Sequence, residues 1–231
     1  MYRVVVIVAK LLPSYRAQTV TLRRRAIEFD ELYGVDTAMM PHEIKPLSID
    51  NSKTNFHSYG YAASDPNYFL EAMNHLEIDH KEYTFIDFGS GKGRALLMAS
   101  QFPFRKILGV EFLEELHEIA KQNIAAFQKH AVGCCNLEST CMDVLDLELP
   151  KNNLVCYFYN PFSKSILNQV LASIHASFME HPREILVVYY APSFRQPMDE
   201  AVWLTKQSQI GPVCIWRTEG RYPSEAAPRG R

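Results

Sequence analysis

The chain has 231 residues, of which 47% are hydrophobic and 22% are charged, and its formal net charge is -2. Such a composition predicts a soluble domain with one large core. A nearly neutral charge argues against wrapping of nucleic acid around a basic surface, although it leaves room for a local basic patch. The five cysteines follow neither a paired framework nor zinc-ligand spacing, so we expect reduced thiols, no metal and a cytoplasmic location.

Residues 1–59 are predicted to form an extension that precedes the main domain. Its first apolar run, Val4 to Ala9, is too short to span a bilayer, and the residues after it make a poor signal-peptide cleavage site. The arginine triplet at 23–25 is typical of a solvated helix face, with a contact to phosphate or an acidic partner as the less favoured alternative. No physical argument assigns a role to the run FDELYGVDT at 29–37.

The central stretch of the sequence is YTFIDFGSGKGR at 83–94. Aromatic and β-branched residues up to Phe88 predict a buried strand, and the residues after the stretch of glycines favour a helix. Between the two elements, Gly89, Gly91 and Gly93 let the backbone approach a ligand closely, and the helix start offers free N–H groups. We therefore predict a nucleotide-like ligand at this strand, turn and helix.

The spacing of this turn differs from that of a dinucleotide site, whose pattern is G-x-G-x-x-G. The third glycine comes one residue early, and the carboxylate of Asp87, which precedes Gly89, would repel a pyrophosphate. An acid at this point suits a cationic amino-acid ligand, which it can hold through charge-assisted hydrogen bonds, directly or through water. The pattern D-x-G-x-G-x-G resembles the first motif of class I S-adenosylmethionine (SAM) methyltransferases, whose cofactor carries a sulfonium and an α-ammonium.

Acidic residues also follow the next two predicted strands. Glu111 lies at the end of the strand 106–112, about twenty residues after the first glycine, where an acid can accept hydrogen bonds from both ribose hydroxyls. The third strand, 138–142, leads to Asp143. The resemblance assigns this acid a hydrogen bond from the adenine amino group, with Asp146 as the alternative.

Before the central strand, Asp65 and Pro66 predict the start of a helix. In the methyltransferases that the chain resembles, this region closes over the methionine end of the cofactor. Tyr61 is the candidate for that contact, and packing in the core explains it equally well. The predicted cofactor-binding residues are Tyr61, Asp87, Gly89, Ser90, Gly91, Gly93, Glu111 and Asp143.

The fourth predicted strand, LVCYFYNPF at 154–162, ends in Asn160, Pro161 and Phe162 at the edge of the sheet where ligands bind. These three residues resemble the Asn/Asp-Pro-Pro-aromatic motif of methyltransferases that modify amino groups, with one proline missing. The side-chain oxygen of Asn160, or a carbonyl of Asn160 or Pro161, can accept hydrogen bonds from an NH₂ group. Phe162 can stack on a planar group or face a methylammonium. The alternative is an ordinary strand-to-helix turn.

A helix, a fifth strand at 183–192 and a final strand pair complete the pattern. We therefore expect an α/β fold: a Rossmann-like, doubly wound, mostly parallel seven-stranded sheet with a closing antiparallel hairpin. The predicted methyltransferase domain spans 60–218, and 219–231 form a flexible tail.

The chain resembles small bacterial class I methyltransferases with the motif G-S-G-K-G-R. Those proteins have a segment similar to FDELYGVDT, for which we expect a role as a lid or a substrate-docking turn. A looser resemblance, to nucleosomal lysine methyltransferases of the class I fold, rests on D-x-G-S-G-x-G-R, on G-V-E at the second strand end and on the Asn-bearing, aromatic-ended fourth motif.

Together these resemblances imply a SAM-dependent methyltransferase that acts on a nitrogen acceptor, such as a protein lysine or another amine. No membrane partner and no wholesale binding of nucleic acid are expected. The alternatives are a non-catalytic SAM-binding scaffold or partner-docking protein and, less favoured, a NAD-dependent oxidoreductase.

Overall fold

The structure is a computed structural model that describes residues 13–38 and 63–219. One sheet carries helices on both of its faces. The helices are α1 (Pro13–Tyr33), α2 (Pro66–His75), α3 (Arg94–Ala99), α4 (Glu114–Phe127), α5 (Lys164–Glu180) and α6 (Gln196–Asp199). The strands are β1 (Tyr83–Phe88), β2 (Lys106–Glu111), β3 (Leu137–Cys141), β4 (Asn153–Phe158), β5 (Ile185–Tyr190), β6 (Leu204–Ile210) and β7 (Val213–Thr218). Single 3-10 turns lie at His80–Glu82, Gln128–His130 and Val144–Asp146.

The strand order is β3-β2-β1-β4-β5-β7-β6, and only β7 runs antiparallel to its two neighbours. Both β1 and β5 are buried along their whole length, as expected for parallel strands covered on both faces. The structure thus confirms the predicted Rossmann-like sheet of seven strands with its closing hairpin. Because β1 pairs with both β2 and β4, the winding direction reverses at β1, and open α/β sheets bind their ligands at the carboxyl edge of such a reversal.

Alternate residues of the strands build one hydrophobic cluster on each face of the sheet. On the first face, Phe85 and Tyr157 pack with apolar residues of α2, α3 and α4. On the second face, Ile86 and Cys156 pack with α5 and with strand β7. Because side chains alternate along a strand, Asp87 lies on the same face as Phe85, at the carboxyl end of β1.

Helix α1 lies against the first face of the sheet. Its Ala26 and Phe29 are buried, and the Phe29 ring stacks at 6.2 Å from the ring of Phe127 in α4. Arg25, from the arginine triplet, reaches Asp65 at the start of α2, with 3.3 Å between Nη1 and Oδ2. The part of the predicted extension that the structure describes is therefore packed on the core.

None of the helices within 13–38 and 63–219 is long and apolar enough to cross a membrane. The same residues hold no cluster of three or more His, Cys, Asp or Glu side chains arranged for a metal ion. All five cysteines are free thiols. The predicted apolar run at the start of the chain and residues 220–231 of the predicted tail lie outside the described residues.

Candidate active site

The glycine turn is the tight connection between β1 and α3. Gly89, Gly91 and Gly93 have φ angles of +82°, +52° and +85°, in the left-handed region that glycine adopts more easily than other residues. The amides of Gly89 and Ser90 both donate hydrogen bonds to the Val110 carbonyl, at 2.9 and 3.0 Å. The predicted strand, turn and helix start are therefore present, and β2 holds the turn from one side.

Ser90 is buried inside this turn. A Cβ added at Gly109 of β2 would lie only 2.7 Å from Ser90 Oγ, so the turn and the strand pack without a gap. The Ser90 hydroxyl has no hydrogen-bond partner among the residues that the structure describes. A buried hydroxyl of this kind is a group that a bound ligand can satisfy.

The two acids predicted to bind the cofactor, Asp87 and Glu111, end the neighbouring strands β1 and β2. Their exposed fractions are 4% and 6%. The Glu111 carboxylate accepts hydrogen bonds from the Gly91 amide at 2.7 Å and from the Leu113 amide at 2.9 Å. Glu111 therefore holds the glycine turn against the end of β2. Since each carboxylate oxygen has two lone pairs, Glu111 can still accept hydrogen bonds from ribose hydroxyls.

Burial changes the acidity of both carboxyls. Desolvation, with a smaller contribution from the charge of Glu111, raises the pKa of Asp87 to about 8. Desolvation also raises the pKa of Glu111, and hydrogen bonds from the Leu113, Gly91 and Phe112 amides oppose that rise. A buried acid that receives no hydrogen bond from the described residues is suited to a cationic ligand, and the α-ammonium of SAM fits this description.

The other two predicted cofactor residues have different outcomes. Asp143 follows β3, is half-buried, and caps the next 3-10 turn by accepting a hydrogen bond from the Leu145 amide at 3.0 Å. Its second carboxylate oxygen is the one that the predicted adenine contact would use. Tyr61 lies outside the described residues.

Asn160 follows β4 and is held in the left-handed region, with φ of +47°. Its Oδ1 accepts hydrogen bonds from the Tyr189 hydroxyl at 2.9 Å and the Ser193 amide at 2.7 Å, while its Nδ2 donates to the Ala191 carbonyl at 2.6 Å. Both lone pairs of the side-chain oxygen are used, so the Asn160 side chain ties the end of β4 to the end of β5. The side-chain oxygen of Asn160 could accept a hydrogen bond from a substrate only if one of these bonds broke. The main-chain carbonyls of Asn160 and Pro161 could accept one without such a change.

Pro161 brings this motif into contact with the glycine turn. A Cβ added at Gly89 would lie 2.3 Å from Pro161 Cβ, a distance at which atoms overlap. Phe162, only 6% exposed, packs in the hydrophobic cluster on the second face of the sheet. The structure thus gives Phe162 a packing role, and stacking on an acceptor stays a prediction.

Tyrosines line the carboxyl ends of β4 and β5 beside this motif. Tyr159, half-buried, and Tyr190 have ring centroids 4.5 Å apart. Tyr157 is buried, and its hydroxyl lies 2.7 Å from Ser64 Oγ. Tyr157 is the direct partner of Asp87 in the pairing of β1 with β4, so the two residues are neighbours in the sheet. Nothing in the sequence indicated Ser64 as a neighbour of this site.

Sequence reasoning missed a set of contacts between the glycine turn and the segment FDELYGVDT. Lys92 and Arg94, which alternate with the glycines, form ion pairs with Asp36 and Asp30 at 2.7 Å. Asn123 of α4 joins the same segment to the turn. Contacts between residues so far apart leave no local pattern in the sequence. The resemblance of the segment to those of other methyltransferases was therefore the one indication that it has a role.

Comparison with known proteins agrees with this site. Residues 44–137, less than half of the chain, match the model of the family described as DOT1, histone methylation protein. The match contains the glycine turn, Asp87 and Glu111. No curated protein sequence matches the chain.

Several solved structures resemble the chain. A predicted N6-adenine-specific DNA methylase from Listeria monocytogenes superposes with a TM-score of 0.52 at 14% identity, over 71% of this chain and 53% of that chain. An RNA methyltransferase from Salinibacter ruber in complex with S-adenosylhomocysteine (SAH) gives 0.43 at 19% identity, over 69% of this chain and 94% of that chain. A ribosomal protein L11 methylase from Lactobacillus delbrueckii subsp. bulgaricus gives 0.45 at 14% identity, over 67% and 77%.

The matched family and the shared fold both support the predicted class I SAM-dependent methyltransferase with SAM as its cofactor. This identification rests on the family match over the glycine turn and on the strand order of the sheet. The buried acids Asp87 and Glu111, and the Ser90 hydroxyl without a partner among the described residues, are suited to that cofactor.

Replacement of Gly89 by alanine is expected to abolish SAH binding. The new methyl group would overlap Pro161, and the left-handed backbone adds about 1–2 kcal/mol of strain. Gly34 is the matched control, since its φ is +67° and no atom lies within 4 Å of an added Cβ. Calorimetric titration should show Gly34→Ala binding SAH like the unmodified chain; equal affinity in Gly89→Ala would contradict the described contact.

The pKa of Asp87 predicts that cofactor binding releases a proton near neutral pH. The free carboxyl, with its pKa raised to about 8, is mostly protonated at pH 7, whereas a bound cation favours the ionised form. SAH affinity should therefore rise between pH 6 and about 8. Titrations in buffers of different ionisation enthalpy measure the released proton directly.

Stability should change with pH in the opposite direction. A raised folded-state pKa means that the unfolded chain loses this proton first, so the free energy of unfolding of the ligand-free protein falls as pH rises from about 4 towards 8. Asp87→Asn should remove that fall and also lose SAH binding. An unchanged pH profile of stability in this variant would contradict the assignment.

Proposed function

We propose that the chain transfers the methyl group of SAM to a nitrogen atom, and that a lysine side chain of a protein is the favoured acceptor, with another amine as the alternative. The observation that carries this proposal is the contact between Pro161 and Gly89. It places the predicted acceptor motif directly beside the glycine turn. A nitrogen held at Asn160 is therefore a neighbour of the cofactor site.

The acceptor motif is rigid, which supports a positioning role. The Asn160 side chain accepts two hydrogen bonds and donates one, which fixes its left-handed backbone, and Pro161 has no N–H to donate. The carbonyls of Asn160 and Pro161 are the groups that we assign to the acceptor NH₂. Alignment of this kind lowers the barrier of a displacement reaction, because reactants held in line lose less entropy on reaching the transition state.

The aromatic residues beside the motif support an amine rather than an acid as the acceptor. The faces of aromatic rings attract cations. Tyr159 directly precedes Asn160, and its ring centroid lies 4.5 Å from that of Tyr190. An alkylammonium must lose its proton before it can react, and desolvation against such a wall lowers the pKa of a lysine. His175 is a candidate general base by residue type alone. It lies in α5, on the second face of the sheet, and its ring centroid is 4.9 Å from that of Trp203.

When bound, SAM supplies a methyl group that its sulfonium already activates. We assign its ammonium to Asp87, its ribose to Glu111 and its adenine to Asp143. The chain then has the tasks of orienting the acceptor and excluding water.

The test is a methyl-transfer assay with tritium-labelled SAM on a lysate that is separated into protein, nucleic acid and small molecules. Label in the protein fraction that survives nuclease treatment and appears on lysine after hydrolysis is the expected result. Label in RNA or DNA would overturn the protein acceptor, and the fold alone leaves that outcome open because nucleic-acid methylases share it. SAH binding without any labelled product would favour a scaffold.

Asn160 variants separate positioning from cofactor binding. Asn160→Gly keeps the left-handed backbone without strain but removes all three side-chain hydrogen bonds, so turnover should fall about 100-fold while SAH affinity stays the same. Asn160→Ala should lose turnover too and also lose about 1 kcal/mol of stability, for its strained backbone. Unchanged kcat in the glycine variant would contradict the role of this motif.

A further inference from the structure

Asn123 joins the turn that follows α1 to the glycine turn. This buried side chain of α4 donates from Nδ2 to the carbonyls of Asp36 and Lys92, both at 2.9 Å. Its Oδ1 accepts a hydrogen bond from the Asp36 amide at 2.8 Å. One side-chain amide therefore fixes two backbone segments against each other, although Asp36 and Asn123 are 87 positions apart.

A buried ion pair lies beside this amide. Lys92 Nζ donates to Asp36 Oδ1 at 2.7 Å. The Lys92 side chain is 1% exposed, whereas that of Asp36 is 68% exposed. An ammonium removed from water needs a counter-charge nearby, so Asp36 stabilises Lys92 in its buried position.

Arg94, just after the turn, makes a second connection to the same segment. Its Nε donates to Thr37 Oγ1 at 2.6 Å, and its Nη2 donates to Asp30 Oδ1 at 2.7 Å and to the Ala26 carbonyl at 2.8 Å. Asp30 also accepts hydrogen bonds from the amides of Thr37 and Ala38, both at 2.6 Å. The segment after α1 is thus folded around Asp30 and joined to α3 through one guanidinium.

From these contacts we propose that Asp36 is a positioning residue for the cofactor, and that Asp36 and Asp30 together hold the glycine turn in its binding conformation. The proposal rests on the SAM site assigned above. Lys92 lies between Gly91 and Gly93, both left-handed. Glu111 holds the Gly91 amide from the sheet, and Asp36 with Asn123 holds the next residue from the opposite side.

This assignment gives the segment FDELYGVDT a role that differs from the lid or docking turn expected from its likeness to other methyltransferases. Its polar residues face the glycine turn through Lys92 and Arg94 rather than a substrate. Substitution of these polar residues should lower the affinity for the cofactor, and turnover should fall as a result of that lower affinity.

The exposed Asp36 side chain allows a test that leaves the core intact. Asp36→Ala removes the counter-charge of Lys92, and SAH titration should show a Kd about tenfold higher, the effect of one charge-assisted hydrogen bond. Asp36→Glu should restore the affinity. Glu31→Ala, an exposed acid on the same segment, is the matched control and should bind SAH like the unmodified chain.

Hydrogen exchange of the ligand-free protein gives a readout that does not depend on the cofactor. Amides of residues 89–94 should exchange faster in Asp36→Ala, while β5 and α5 exchange as before, which would show that the rest of the core is intact. Unchanged exchange and unchanged SAH affinity in Asp36→Ala would overturn the positioning role alone. If the unmodified chain bound neither SAH nor SAM, the cofactor site itself would be refuted. Hydrogen exchange at residues 89–94 would still decide whether Asp36 holds the turn.

Discussion

The charged residues around the glycine turn are almost completely removed from water, and the way they are neutralised organises the site. Lys92 and Arg94 are 1% and 2% exposed, and both find acids on the segment after α1. Asp87 is just as buried, yet no cation of the described residues forms an ion pair with it. Because a buried carboxylate without a partner is costly, Asp87 is mostly protonated in the free protein, and it is suited to ionise against a ligand that brings a positive charge.

The topology of the sheet brings the two halves of the proposed reaction site together. β1 and β4 are far apart in sequence but adjacent in the sheet, with Phe88 opposite Phe158 at their carboxyl ends. The connections that leave these two strands therefore meet, and the contact of Pro161 with Gly89 follows from that pairing. A sheet with another order would separate the cofactor turn from the acceptor motif even with the same motifs in the sequence.

Much of this architecture was predictable because it depends on local patterns. Short apolar runs and glycines specify the strands and the turn, and the positions of Asp87 and Glu111 at strand ends follow from the same patterns. Nothing in the sequence indicated that Asn160 has a left-handed backbone or that Phe162 returns to the core, since a motif does not reveal the direction of the chain after it. Nor did it reveal Asn123, whose partners come from two distant segments.

The connection between α1 and the glycine turn also bears on where the domain begins. Cofactor-binding sheets of this kind are often treated as units that can be moved between proteins, and here such a unit would begin at residue 60. A chain shortened to that point would lose Asp36 and Asp30, the acids with which the buried Lys92 and Arg94 form ion pairs. A minimal form of the domain should therefore keep α1 and the residues that follow it up to Ala38.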